Sequence, residues 1–494
     1  MATGCSMVIG ESPVSVSAGE AWDPGAPGLV PRPLWQTRLK HVVGIDRAIT
    51  YTVLARGCQA AGSAGTVLLI IHFLTPAEQG YYYTLWSLVW LQIVFELGFS
   101  FVILQLATHE GSRLTIDWND QVAGDPVAHA RLASVLQTAV RWYAVAAVVM
   151  AMIVFPAGWY FFSHHPHMGN EPAWRWPWIL AVLGSVITFQ LDPVFSFLEG
   201  CGRVAQVAGL RLSQAVVSSL LVWTAMITHH GLFSPALAIV GQAVLGMIFL
   251  YGRRRLLLPL MRRPVGAHRV EWRSEVWPFQ WRIAVSWLCS YFISQLFTPV
   301  LFVFRGPVAA GRMGLSISIV TQLGAMVLAW MTTKAAPFGN LVARGEIRQL
   351  DRLFFRTLWQ SLGLLMLVAI SLFTGLLAAE RFFPALALRI LPPPVFVLLL
   401  LTALGSHVVQ SEALYLRAHK CEPFLLQSVL LAILSTASTI VCARLWGAPA
   451  VAVGYFVCLG VLGATSGTYI FQSKRRAWQR ASAPSKYPNV VACQ

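Results

Sequence analysis

About twelve apolar runs of membrane-spanning length follow one another along this sequence, and they constrain its fold more than any motif does. They lie near 48–74, 80–108, 138–162, 176–199, 204–229, 232–252, 279–304, 307–335, 354–379, 393–416, 422–444 and 448–472. In hydrocarbon each backbone N–H and C=O must be satisfied within its own segment, so runs of this kind form helices. Of the 494 residues 56% are hydrophobic and 11% are charged, whereas a soluble domain is roughly a quarter charged. The expected class is an all-α polytopic membrane protein with about 12 transmembrane helices.

Charge placement tests this count independently. A net charge of +16 in a soluble domain would point to nucleic acid. Here the basic residues fall in loops that parity places on one side: Arg253, Arg254, Arg255, Arg262, Arg263, Arg269 and Arg273, then Lys334, Arg344, Arg348 and Arg352, then Lys474, Arg475, Arg476 and Arg480. By the positive-inside rule that side is cytoplasmic, both termini lie there, and the partner implied is anionic membrane lipid, not nucleic acid. Trp159, Trp174, Trp176 and Trp178 collect at the outer ends of the third and fourth runs, as interface anchors do. Residues 1–44 are rich in Gly, Pro and Ser and are expected to form a disordered basic cytoplasmic tail. The eight cysteines are scattered without a CxxC pair, so free thiols are expected.

An internal repeat organises the runs. Pro76-Ala-Glu-Gln-Gly80 and Pro307-Val-Ala-Ala-Gly311 share a Pro-x-x-x-Gly pattern six helices apart, and the same offset lays Gln59 on Ser290 and Ser63 on Ser294. The seventh run carries Arg282, Ser286, Ser290, Ser294 and Thr298 at four-residue spacing, a polar stripe on one helix face. The reading is two six-helix lobes around a central cavity: an N-lobe at 45–252, a basic inter-lobe loop at 253–278, a C-lobe at 279–472 and a cytoplasmic tail at 473–494. Small hydroxyl residues also let membrane helices pack closely, so the serines alone do not decide between packing and a polar lumen.

The stretch from Pro76 to Glu110 adds charge at depth. Thr84, Leu88, Gln92, Glu96 and Ser100 recur every fourth residue, which places a polar seam on one side of a single helix. A membrane-buried carboxylate is costly, so Glu96 is read as functional, with a structural ion pair as the alternative. Rise per residue places Arg56 about 31 Å and Glu96 about 28 Å below the turn near Ala77, so the two could pair. Asp192 and Arg211 each lie about 14 Å from the turn near Cys201 and could form a second pair. Glu412 and His407 lack an equally placed cation and are candidates for coupling or gating, His407 also reading as a packing histidine. Arg282 and Arg312 sit near helix ends, where they can snorkel, and complete the candidate lumen cations. Tyr82, Trp86 and Trp90 form a ladder that could stack on sugar rings or anchor at the interface.

The segment GYYYTLWSLVWLQIVFELGFSFVILQLATHE, through Gly80, Tyr81, Tyr82, Gln92, Phe95, Glu96, Gly98, Phe99 and His109-Glu110, resembles the second-helix region of bacterial polysaccharide flippases. These are lipid-linked oligosaccharide exporters of the multidrug/oligosaccharidyl-lipid/polysaccharide superfamily. The resemblance implies a multi-pass protein of the bacterial inner membrane that moves an undecaprenyl-pyrophosphate-linked oligosaccharide outward by alternating access. It also implies a cationic lumen, coupling to H+ or Na+, no other cofactor, and a polysaccharide polymerase and glycosyltransferases as neighbours in the pathway. The family supplies no residue-level motif for these roles; by depth and helix face Arg56, Arg211, Arg282 and Arg312 are the candidate substrate-binding cations, and Glu96, Asp192, Glu412 and His407 the candidates for coupling or gating. Gln59, Ser63, Gln92, Ser286, Ser290 and Ser294 form the polar lumen stripe. The alternatives are a cation-coupled drug or metabolite antiporter, a membrane glycosyltransferase or polymerase, and a scaffold. The enzyme is disfavoured because the outer loops, about 5 to 15 residues long, have little room for a catalytic domain.

Overall fold

The computed structural model describes residues 47–111, 113–116, 121–164, 172–265, 270–271, 277–419 and 424–481. The tail 1–44 and parts of the 253–278 loop lie outside these residues. The first six spans are α1 (Arg47–Phe73), a broken second span of α2 (Pro76–Val89), α3 (Gln92–Glu96) and α4 (Phe99–Gly111), then α5 (Pro126–His164), α6 (Arg175–Gly200), α7 (Val204–Ile227) and α8 (Ser234–Gly252). A surface helix α9 (Arg254–Arg262) follows. The remaining spans are α10 (Trp277–Ser294) continued by α11 (Phe297–Arg305), α12 (Pro307–Thr332) with the short α13 (Ala335–Ala343), and α14 (Ile347–Phe382), which the short α15 (Pro384–Ala387) follows. After them come α16 (Pro393–Ala418), α17 (Leu425–Leu445), and α18 (Ala448–Tyr455) running through a π-helical stretch at 456–463 into α19 (Ala464–Ala481). Among the described residues eleven helices are long and apolar enough to cross a membrane, and the bent second span makes twelve. The chain is therefore an all-α, multi-pass membrane protein.

The repeat is visible in which helices pack together. In the first half α1 lies along α7, α7 along α8, α8 along α6, and α6 along both α4 and α5. In the second half α10 lies along α17, α17 along α18, α18 and the π-helical stretch along α16, and α16 along both α12 and α14. The same pairing pattern, shifted by six spans, builds two six-helix lobes. They meet chiefly where α2 packs on α12, flanked by α1 on α12 and by α10 and α11 on the second span.

Several elements run beyond the apolar patterns. α5 begins at Pro126, so its first turns project past the apolar run 138–162, and α19 continues to Ala481 into the segment expected to be tail. The loop before α5 holds a two-stranded antiparallel hairpin, β1 (Leu114–Ile116) on β2 (Val122–Gly124). Pro156 removes one N–H inside α5, and near it the indole of the fully buried Trp178 donates to the Phe155 carbonyl at 3.1 Å. Gly158 leaves the slot that the Trp178 ring fills.

The second span corrects the expectation of one continuous helix. It begins well, with Pro76 in the first turn and a capping box in which Thr75 and Glu78 satisfy each other's backbone. It then turns at Trp90 and Leu91, and breaks by 46° after Glu96, where Leu97 (φ 51°) and Gly98 (φ 66°) take left-handed backbone conformations. Gly98 tolerates this; Leu97 does so at a steric cost. A β-carbon at Gly98 would run into Ile283 of α10, so the other lobe also packs against the break.

Candidate functional site

Between the lobes lies a cavity of about 700 Å³. α1 contributes Gln59, Ser63 and Thr66, which recur at three or four residues and so share a face. Beside this face α1 is held to α7: Gly65 leaves room for the Trp223 ring, whose Nε1 donates to Thr66 Oγ1 at 3.2 Å. The second span contributes Tyr82, Tyr83, Trp86, Trp90 and Gln92, and α8 contributes Gln242. From the C-lobe come Ser294 and Gln295 at the end of α10, Ser318, Thr321 and Gln322 of α12, and Tyr455. Gln322 Nε2 donates to Ser63 Oγ across the lobes at 3.1 Å. Among the described residues that line this cavity there is no Asp, Glu, Lys, Arg or His.

One end of the cavity is closed by backbone. The two Pro-x-x-x-Gly motifs pack directly on each other, and a β-carbon at Gly80 would collide with the Pro307 carbonyl. Gln79, 1% exposed, donates from Nε2 to the Gly311 carbonyl at 2.8 Å and to the Arg389 carbonyl at 3.1 Å. Arg389 in turn donates from Nη2 to the Leu74 carbonyl at 2.5 Å. Below this seal Ser87 Oγ donates to the Gln295 carbonyl at 2.5 Å, and Tyr291 Oη donates to the Ser87 carbonyl at 3.3 Å. These side chains satisfy carbonyls of the opposite lobe.

The charged candidates sit elsewhere. Arg56 is exposed on α1, and no ion pair joins it to Glu96 among the described residues. Arg211 pairs with Glu199, at 3.1 Å, and not with Asp192, which lies two helical turns earlier on the same face of α6 and feels Arg211 only as a nearby charge. Ser100, close to Glu96, has its hydroxyl 2.8 Å from Tyr143 Oη, and Asp192 is within electrostatic reach of both Glu96 and Tyr143. Glu96, Tyr143 and Asp192 thus form a polar group inside the N-lobe, apart from the cavity lining. Arg312 is half-buried on α12 and does not line the cavity, and the side chain of Arg282 lies outside the described residues. Among the described residues the cavity is walled by amides, hydroxyls and indoles, and Arg56, Arg211 and Arg312 do not line it.

The C-lobe holds its own buried pair. Glu412 on α16, 3% exposed, accepts from Thr468 Oγ1 at 3.3 Å, and no cation pairs with it among the described residues. His407, also 3% exposed, has Nε2 at 2.9 Å from Ser361 Oγ. Nearby, Gln427 donates to the Gly463 carbonyl and to Ser466, both at 2.8 Å, where the π-helical stretch ends. Single-turn π segments occur often at functional sites.

Of the polar stripe, Gln59, Ser63, Gln92 and Ser294 line the cavity, whereas Ser286 and Ser290 do not. The seam does not stay together: Gln92 lines the cavity, whereas Glu96, one turn later on α3, and Ser100, beyond the break, do not. All three rungs of the Tyr82, Trp86 and Trp90 ladder line the cavity. Gln242, Ser318, Thr321 and Gln322 were not singled out from sequence. The repeat held the signal for two of them, since the offset that takes Pro76 to Pro307 takes Ser87 to Ser318 and Leu91 to Gln322.

No family model and no curated protein matches the sequence. Among solved structures the fold is similar to the lipid II flippase MurJ in an inward closed conformation, with a TM-score of 0.61, 10% identity, and coverage of 87% of this chain and 90% of that one. It is also similar to an inward-facing multidrug resistance transporter of the MATE family in the MOP superfamily, with a TM-score of 0.53, 14% identity, and coverage of 88% and 96%. A MOP superfamily transporter from Pyrococcus furiosus, described by a binding pocket of reverse polarity, gives a TM-score of 0.51, 12% identity, and coverage of 88% and 95%.

Proposed function

We propose that this chain, built on the fold of the MOP superfamily transporters, translocates a lipid-linked oligosaccharide across the bacterial inner membrane by alternating access, in polysaccharide biosynthesis. The observation that carries this reading is the uncharged cavity between the lobes, walled by five glutamines, several hydroxyls and the Trp86 and Trp90 indoles. Side-chain amides and hydroxyls offer both donors and acceptors to sugar hydroxyls, and aromatic faces stack on the apolar faces of sugar rings. An organic cation would be held best by a carboxylate, and none lines this cavity among the described residues; the pyrophosphate of a lipid link would have to meet its cations outside this wall. A volume of about 700 Å³ lies within the roughly 300–1,000 Å³ range of ligand pockets.

In this scheme the lobes 45–252 and 279–472 are the moving bodies, 253–278 links them, and Pro76 and Pro307 mark the outer end. The Gly80–Gly311 seal then describes a state closed to the outside. Coupling to H+ or Na+ would fall to Glu96 with Asp192, or to Glu412 with His407, because these acids lie inside the lobes and leave the cavity wall neutral. Each could bind a cation as its lobe repacks, which links ion binding to lobe shape.

A second reading, the cation-coupled drug or metabolite antiporter, is favoured by that buried acidic group and by the likeness to MATE transporters. Glycan displayed on the outer leaflet and extrusion of a fluorescent organic cation are measured in parallel, at matched protein level. The flippase reading expects Trp86→Ala and Gln322→Ala to lower outer-leaflet glycan about tenfold, the scale of a lost stacking or buried polar contact. Normal glycan display in both, with lost dye extrusion, would hand the site to the antiporter. Adding Arg56→Ala, Arg211→Ala and Glu96→Gln separates cargo contact from coupling.

A further inference from the structure

A second cavity, of about 1,000 Å³, lies far from the lobe interface, between α9, the start of α5 and the β1–β2 hairpin. Its walls include Arg254, Arg255 and Leu258 of α9, His129 of α5, and Gln121 and Val122 of the hairpin. From this architecture we infer that the cleft binds a phosphate group at the membrane surface, such as the headgroup of an anionic phospholipid. This inference does not rest on the transport reading above.

The depth of the cleft comes from α5. At 39 residues this helix is about 58 Å long, against a hydrocarbon thickness of about 30 Å, and its apolar run starts only near 138. The preceding turns therefore stand at headgroup level, and α9 is docked on them. Gln137 Nε2 donates to the Leu260 and Arg263 carbonyls at 2.9 and 2.8 Å, satisfying the last turn of α9. Arg263 bonds His129, and Ser134 Oγ accepts from the Val270 backbone at 3.0 Å. Leu256, Leu257 and Leu260 are buried beneath the helix, which leaves its basic side outward.

The chemistry of the walls is two-sided. Arg254 and Arg255 are exposed, and no carboxylate pairs with either among the described residues. Arg254 is held in place by stacking over the Tyr251 ring, 4.2 Å from its centroid. Two guanidiniums that no carboxylate pairs among the described residues offer N–H donors to phosphate oxygens, with the Gln121 amide as a further donor. Leu258, 47% exposed, gives the same cleft an apolar edge where a lipid chain would leave. A basic helix with apolar residues at the interface is a common device for holding anionic lipid.

The test uses the purified full chain in neutral detergent with three probes: dioctanoyl phosphatidylglycerol, dioctanoyl phosphatidylcholine and sodium phosphate. Thermal unfolding and native mass spectrometry read binding for the wild type, R254Q/R255Q, R254K/R255K and R262Q. Arg262 lies on the same helix but does not line the cleft, so R262Q controls for net charge. The inference expects phosphatidylglycerol to bind and stabilise the wild type and R262Q, and to bind R254Q/R255Q about tenfold more weakly, with the lysine variant between them. Stabilisation by sodium phosphate as well assigns the site to any phosphate; stabilisation by phosphatidylglycerol alone assigns it to the lipid. Equal binding of phosphatidylglycerol and phosphatidylcholine to the wild type, or equal losses in R262Q and R254Q/R255Q, would overturn it. The wild-type comparison decides even if the double variant fails to fold.

Discussion

Gly80 and Gly311 meet backbone to backbone across the two lobes: a β-carbon added at Gly311 would sit 2.8 Å from the Gly80 nitrogen and 3.1 Å from its Cα. Each glycine closes the turn of its own Pro-x-x-x-Gly motif, so the two copies of the repeat recognise each other at the cavity's sealed end. Two helices can approach this closely only where neither carries a side chain. Overpacking here costs about 1–3 kcal/mol, enough to shift a balanced two-state equilibrium about tenfold or more. Gly311→Val is therefore expected to open this end. In a cysteine-free background with a reporter cysteine in place of Ser318, labelling by a membrane-impermeant maleimide from the Pro76 side should rise about tenfold. Unchanged labelling would mean that the crossing does not govern access.

Gln79 and Arg389 act on the same seal through hydrogen bonds. Gln79→Leu removes donors to the Gly311 and Arg389 carbonyls, and Arg389→Ala removes the donor to Leu74. Each bond contributes about 0.5–1.5 kcal/mol net, so each variant should raise the same labelling about threefold to tenfold. Because Gln79 holds the Arg389 backbone from which the guanidinium reaches Leu74, the double variant should fall short of the product of the two singles. Full additivity would show that the bonds do not form one latch.

Glu110, 5% exposed, accepts from Arg131 Nε at 2.7 Å. Breaking a buried pair from one side costs about 3–5 kcal/mol, and the partial exposure of Arg131 should lower this to about 2–3. Arg131→Gln is expected to lower the unfolding temperature in detergent well below that of Glu110→Gln, and Glu110→Gln/Arg131→Gln should recover part of the loss. The opposite ranking would show that the buried carboxylate does not depend on Arg131.

The Trp178 ring fills the slot over Gly158, where an added β-carbon would lie 2.6 Å from its Cη2. Gly158→Ala should destabilise the N-lobe by about 1–3 kcal/mol through overpacking. Shortening the partner in Gly158→Ala/Trp178→Leu should relieve the clash while forfeiting the indole bond to Phe155. If the second change adds its full cost to the first, the two positions do not share a packing constraint.

The sequence by itself determined the number of spans and the six-plus-six repeat. Apolar run length and loop charge act on each segment separately, and the Pro-x-x-x-Gly copies mark equivalent turns. It also singled out Gln59, Ser63, Gln92 and Ser294, which line the cavity, together with Ser286 and Ser290, which do not. Only the tertiary structure decided where Glu96 points and which acid Arg211 meets. Periodicity gives the face of a helix but not what packs on it: Gln92 and Glu96 lie one turn apart on α3, yet the first lines the cavity and the second lies within electrostatic reach of Tyr143 and Asp192 inside the N-lobe. Partner choice is likewise set by where neighbouring helices pass one another: Glu199 and Asp192 share a face of α6, and the course of α7 brings Arg211 to the first of them. The neutral wall of the central cavity follows from these two outcomes, since the buried charges are spent inside the lobes and the amides and indoles are left to face the gap.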